Sequence, residues 1–124
     1  MRLAPAIWLA LALPASAGDL ALYPAAQCAA FWLGREDYAQ AGGWLDPDPL
    51  SVQRAAAFRA AALRLGPDRA AEIDARIADQ RPRMARLHEA AIDWGDPQSI
   101  DLLEDLTQTC GAFAADSPEL EGLR

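Results

Sequence analysis

The most regular hydrophobic pattern in the chain lies between residues 70 and 94. Ala70, Ile73, Ile77, Gln80, Met84, Leu87, Ala91 and Trp94 follow one another at alternating spacings of three and four residues, and Gln80 is the only polar member. This is one face of an α-helix in the register of a coiled-coil seam. Pro82 falls inside it. A proline in a helix interior removes the bond to the carbonyl four residues back and costs about 3 kcal/mol or more. The stripe keeps its phase across Pro82, so the pattern predicts one long helix over about 67–94, kinked at Pro82, with two helices meeting at a bend as the alternative.

Three further helices are marked off by proline and glycine. Pro24 suits the first helical position, where its missing N–H is not needed. From there Cys28, Phe31, Trp32 and Tyr38 share one face of a helix over about 24–41, which Gly34 weakens and Gly42-Gly43 end. Asp48-Pro49 reads as cap and first residue of a helix over about 50–65. Its apolar positions fall on two faces: Leu50, Ala57, Phe58, Ala61 and Leu65 on one, Val52, Ala56, Ala60 and Leu63 on the other. That distribution predicts a helix sandwiched between neighbours. Gly95-Asp96-Pro97 repeats the stop-and-start chemistry before a helix over about 97–114, striped by Ile100, Leu103, Leu106, Cys110 and Phe113. The tail 116–124 has no pattern and is expected to fray. No internal repeat or strand alternation is present. The expected fold is all-α: a single-domain, antiparallel four-helix bundle with short loops.

The first 17 residues stand apart. Arg2 precedes an apolar run from Leu3 to Leu13, and Ala15-Ser16-Ala17 forms an A-x-A site before Gly18. This is the layout of a cleavable secretory signal peptide. The apolar run is far short of the roughly 20 residues a membrane span requires, and no later stretch is apolar enough to cross a membrane. Cleavage after Ala17 would leave a domain over 18–124, expected in the periplasm.

Composition sharpens this picture. The chain has 124 residues, 52% hydrophobic and 23% charged, with 29 alanines and neither lysine nor asparagine. Alanine favours helix and disfavours strand, and the codon bias behind such usage suggests a GC-rich bacterial genome. Cys28 and Cys110 are the only cysteines. No C-x-x-C or C-x-x-C-H motif is present, and His88 is the only histidine. In an oxidising compartment the pair reads as a disulfide joining the first and last helices. The chain-entropy model assigns a bridge closing so long a loop about 4.5 kcal/mol.

Charge is segregated. After Arg2 is removed, ten arginines oppose 18 acids, leaving −8. Residues 54–86 carry eight arginines and four acids, whereas residues 87–123 carry nine acids and no Arg or Lys. An acidic fourth helix packed near Arg-rich second and third helices would account for this, and a dipolar docking surface is the alternative. The net acidity argues against nucleic acid and anionic membranes. Arg81, Arg83 and Arg86 form the densest basic cluster, either a solvated helix face or a contact for an anion or partner. Trp44, after two glycines in the irregular loop 42–49, either covers the bundle end or anchors a partner.

Catalytic signatures are missing from the sequence. There is no G-x-S-x-G elbow, Gly-rich phosphate loop or H-E-x-x-H. Asp46 and Asp48, beside prolines 47 and 49, suit helix capping rather than calcium. His88 lies beside the stripe, where a boundary or surface position is expected. Neither cofactor nor metal is expected. The function read from these residues is non-enzymatic: an exported helical accessory module that binds a periplasmic or envelope protein. A periplasmic stress chaperone of the acid type is the alternative, sharing only size, export and two cysteines. An enzyme or cofactor-carrying bundle is the third reading. Mass spectrometry of the exported protein should place the N-terminus at Gly18, and retention of residues 1–17 would contradict the signal-peptide reading.

Overall fold

The computed structural model describes residues 17–124; the expected signal peptide, apart from Ala17, lies outside the described residues. The protein is an all-α, bundle-like assembly of four long helices: α1 (Gln27–Gln40), α2 (Pro49–Leu65), α3 (Ala70–Ile92) and α4 (Pro97–Ala115). A helical lead-in precedes them, formed by Ala17–Leu20 and the segment Ala21–Ala26. Tyr23 breaks the lead-in with extended dihedrals (φ −141°, ψ 124°), and helical geometry resumes at Pro24 and continues into α1. A 3-10 turn, Pro118–Leu120, follows α4. No strand occurs among the described residues.

Local chemistry sets the helix starts. The Asp48 side chain accepts from the Leu50 N–H (2.9 Å), with Pro49 occupying the first helical position of α2. Asp96 does the same for α4, accepting from both the N–H and the hydroxyl of Ser99 (3.0 and 2.6 Å) ahead of Pro97. Such caps satisfy donors that the first turn otherwise leaves orphaned and contribute about 1 kcal/mol each. Before α3, residues 66–69 form a turn closed by Arg69 N–H to the Gly66 carbonyl (3.0 Å), so the helix begins at Ala70 rather than 67. It then runs unbroken through Pro82 to Ile92. Pro82 is exposed, and the Ala78 carbonyl it leaves without a donor is also on the outside.

The sandwiched helix is α1, not α2. Cys28, Ala29, Ala30, Phe31, Gly34, Tyr38 and Ala39 are all buried, and α1 packs against both α3 and α2, with α3 the more extensive contact. On α2 only one face is covered, through Ser51, Ala55, Phe58, Ala61 and Ala62; Val52, Ala56 and Ala60 face outward. In the second apolar set Ala56 and Ala60 cost little to expose, and Leu63 is partly buried against the core, so the set does not mark a second covered face. On α3, Ile73, Ile77, Met84 and Ala91 are buried on the expected stripe. Its ends are not: Ala70 is exposed, and Trp94 lies beyond the helix end and is 76% exposed.

Gly34 accounts for the intimacy of α1 and α3. A Cβ built there would stand 2.4 Å from Met84 Cβ, 2.7 Å from the Ala85 nitrogen and 2.8 Å from the Met84 carbonyl carbon. Only a residue without a side chain permits that approach. Glycine, expected as a weak point in the first helix, is where its backbone meets its main partner.

Cys28 and Cys110 form a disulfide joining α1 to α4, with Cα atoms 5.6 Å apart, inside the range disulfides adopt. Both residues are buried in the main core with Phe31, Phe58, Ile73 and Met84. The tail does not fray. Leu120 is 1% exposed and Ser117 2%, the Ser117 hydroxyl donates to the Phe113 carbonyl (2.7 Å), and Arg124 Nε donates to the Ala114 carbonyl (3.0 Å). Arg54 Nε on α2 donates to the Leu123 carbonyl (2.8 Å), and Arg64 pairs with Glu119. Two leucines three residues apart, Leu120 and Leu123, are too few to mark a period, yet burying Leu120 contributes about 1.5–3 kcal/mol, enough to dock the segment.

Replacing Gly34 with Ala should lower stability by about 1–3 kcal/mol, the usual range for overpacking. The contrasting Gly111→Ala, on α4 where an added Cβ meets nothing within 4 Å, should raise it by up to about 1 kcal/mol through helix propensity. Urea unfolding of the two variants measures the difference, and effects of equal sign would contradict the close α1–α3 contact.

Candidate functional site

The C-terminal end of α1 is built around Tyr38. Gly42 takes φ +89°, and the N–H groups of Gly42 and Gly43 donate to the carbonyls of Ala39 and Tyr38, both at 3.1 Å. This is a Schellman closure, which needs a left-handed residue at Gly42. Gly43 then passes beneath the Tyr38 ring, where a Cβ would lie 2.4 Å from Cζ. The Tyr38 hydroxyl accepts from the Trp44 N–H (3.0 Å) and donates to Asp93 Oδ1 at the end of α3 (2.5 Å). Burial, the bond to Asp93 and the nearby carboxylates hold the Tyr38 phenol above its ordinary pKa, so it stays protonated and keeps donating.

That hydrogen bond ties the ends of α1 and α3 together, and a tryptophan stands on each side of it. The Trp44 backbone is held by Tyr38, and the loop is held again where the Asp48 N–H donates to Glu36 Oε2 (3.1 Å). Its ring is nevertheless 84% exposed, so Trp44 does not cover the bundle end. Trp94 follows Asp93 directly, and Gly95 (φ +60°) turns the chain away toward the Asp96 cap. Between the two helix ends lies a cleft of about 250 Å³ lined by Asp37, Tyr38, Arg86, Glu89 and Asp93 among others. The position of Trp94 had a sequence signal: Gly95-Asp96-Pro97 ends the helix just after it.

The basic cluster is divided. Arg81 makes a two-pronged pair with Asp37 on α1 (2.6 and 2.8 Å). Arg83 lies 3.6 Å from Asp79, one turn back on its own helix. Arg86 lines the cleft beside Glu89 and Asp93 and has no ion-pair partner among the described residues. The structure thus assembles no three-arginine anion site. Nor do the acids of α4 complement α2 and α3: Asp101, Glu104 and Asp105 are exposed and unpaired among the described residues, and of the acidic half only Glu119 meets an arginine, Arg64. The one ion pair between α2 and α3 among the described residues, Arg59–Asp74 (2.7 Å), is an exposed contact contributing about 0–1 kcal/mol.

His88 is buried, at 3% exposure, not at the boundary or surface. Its ring packs against Phe31 (centroids 5.2 Å) and lies nearly parallel to Tyr38 (6.2 Å). Nδ1 donates to the Met84 carbonyl (2.8 Å); because a carbonyl can only accept, the ring carries its proton on Nδ1. Desolvation lowers its pKa, opposed by the Met84 bond and reinforced by Arg35. Steric embedding between two aromatic rings makes it a core residue.

Nothing in this arrangement forms a nucleophile–base pair, and no group of three or more His, Cys, Asp or Glu residues placed to hold a metal occurs among the described residues. No described helix is long and apolar enough to cross a membrane. Comparison with known proteins returns no match among family models, curated proteins or solved structures. What the bundle end offers is contact: two exposed indoles, a polar cleft and a rigid backbone beneath.

The His88 environment fixes the sign of a pH effect. The folded state disfavours the protonated ring, so the unfolded chain takes up a proton first as pH falls below about 6.5. Stability should therefore be fully present above that pH and decline as pH falls toward the lowered folded-state value. Asp74, Asp96 and Glu119, which arginine or serine partners hold below the ordinary carboxylate range, lose their contribution only in more acid solution. Urea midpoints at pH 7.5 and 5.5 should fall for the parent and stay level for His88→Leu; parallel declines would contradict this assignment.

Proposed function

We propose that this protein is an exported, non-enzymatic helical module that binds a protein partner in the periplasm or envelope through the end of the bundle where α1 and α3 meet. The observation that carries this reading is the pair Trp44 and Trp94, 84% and 76% exposed, on either side of the Tyr38–Asp93 hydrogen bond. Tryptophans are among the residues most enriched in binding hot spots, and each can bury about 150–250 Å² of surface. A globular chain with an accessible core gains by folding such rings inward. Here the Trp44 backbone is pinned while its ring is presented to solvent, an arrangement that reduces the ordering cost of association. Arg86, Glu89 and Asp93 in the neighbouring cleft supply the polar surroundings of a protein contact. The Cys28–Cys110 disulfide supports an oxidising compartment, in line with the export signal read from residues 1–17.

A test compares the parent with a Trp44→Ala, Trp94→Ala double variant as bait in the envelope fraction of the native host. A partner captured by the parent should be lost from the variant, by about tenfold or more in recovered amount, while circular dichroism stays unchanged. Equal recovery would contradict the assignment of this surface. The acid-chaperone reading has one observation in its favour, the buried His88, whose protonation opposes the folded state; the pH series above bears on it directly.

A further inference from the structure

We propose that a second site, remote in composition from the tryptophan-flanked end, binds a single-chain amphiphile with an anionic head, of the fatty-acid carboxylate class. The site is a cleft of about 450 Å³ between α4, α2 and the docked tail, within the range typical of small-molecule pockets. Its walls are apolar and include Trp32, Phe58 and Leu120. Its only charged side chains are Arg54 and Arg124, and no Asp or Glu lines it. In a chain of net charge −7, a cleft with an apolar body and a purely cationic rim selects an apolar tail with a negative head.

Two further features point the same way. Arg54 lies over the Trp32 ring, its guanidinium carbon 4.7 Å from the ring centroid, and the nearest carboxylate to it, Asp48, is 3.9 Å away. Arg54 is thus fixed in place, with its Nε on the Leu123 carbonyl (2.8 Å). Gly111 lines the same cleft from the interior of α4, and a Cβ there would meet nothing within 4 Å. No packing contact requires glycine at this position, and helix propensity favours almost any other residue. What its missing side chain does is leave the cleft open.

The test uses isothermal titration of the full folded protein with dodecanoate below its micelle-forming concentration. Dodecyltrimethylammonium, acetate and phosphatidylglycerol vesicles serve as comparison ligands. Dodecanoate should bind saturably at one site. Dodecyltrimethylammonium should bind at least about tenfold more weakly, and acetate should not bind detectably. Gly111→Leu, whose Cβ meets no neighbour within 4 Å, should weaken dodecanoate binding by about tenfold or more while unfolding at the same or higher urea concentration. Thr107→Leu, at an exposed position of α4 that lines the same cleft, should also bind dodecanoate more weakly and provides the result should Gly111→Leu not fold. Absence of saturable dodecanoate binding, equal binding of the cationic amphiphile, unchanged affinity in the variants, or binding to vesicles alone would each overturn the proposal. The Trp44→Ala, Trp94→Ala variant should bind dodecanoate like the parent, so this result is independent of the partner surface.

Discussion

The close approach of α1 to α3 at Gly34 is the constraint on which the other contacts depend. With a Cβ at that position excluded by the Met84 and Ala85 backbone, α1 sits near enough to α3 for Phe31, Met84 and His88 to share one layer, and for the Tyr38 hydroxyl to reach Asp93. Widening that gap by the size of one methyl group would lengthen the Tyr38–Asp93 bond and loosen the stack on His88. Interiors packed like organic crystals transmit such displacements rather than absorb them. The presentation of Trp44 and Trp94 therefore rests on a glycine several turns away.

Small residues do the same elsewhere on α1 and in the lead-in before it. Ala25, Ala26, Ala29 and Ala30 are essentially inaccessible, and each lets a neighbouring helix come close at little side-chain entropy cost. A core built this way gains less from any single side chain than one filled with leucine. The long-range disulfide, with its contribution of about 4.5 kcal/mol in the chain-entropy model, and the docked tail offset that thinness.

The parts of this fold legible in the sequence are those governed by local rules. Asp48-Pro49 and Asp96-Pro97 mark helix starts because capping and the fixed proline φ act within a few residues. Ile73, Ile77 and Met84 mark a buried face because large apolar groups at helical spacing have few alternatives. The disulfide followed from the cysteine count and the expected compartment. The central place of α1 was not legible, because alanine and glycine signal no preferred face and their role is to permit contact, which only the partner helix defines. His88 as a core residue depended on Phe31 and Tyr38 arriving from another helix. Trp44 and Trp94 are far apart in sequence, and the bond between Tyr38 and Asp93 that brings their surroundings together carries no periodic mark.

The disulfide acquires a particular meaning from where it sits. Helix α4 packs chiefly on α3 and touches α1 only slightly, so the sulfur bridge reinforces a helix pair that packing scarcely joins. In a compartment that reduces thiols, the chain would keep its α1–α3 and α1–α2 contacts, α4 would be left to its packing on α3, and the segment beyond Ala115 to its docking on α2. Of the four long helices α4 has the least extensive packing on the rest, so it is the one whose hold depends most on the bridge. Oxidation thus acts as a latch on the helix that packing holds least.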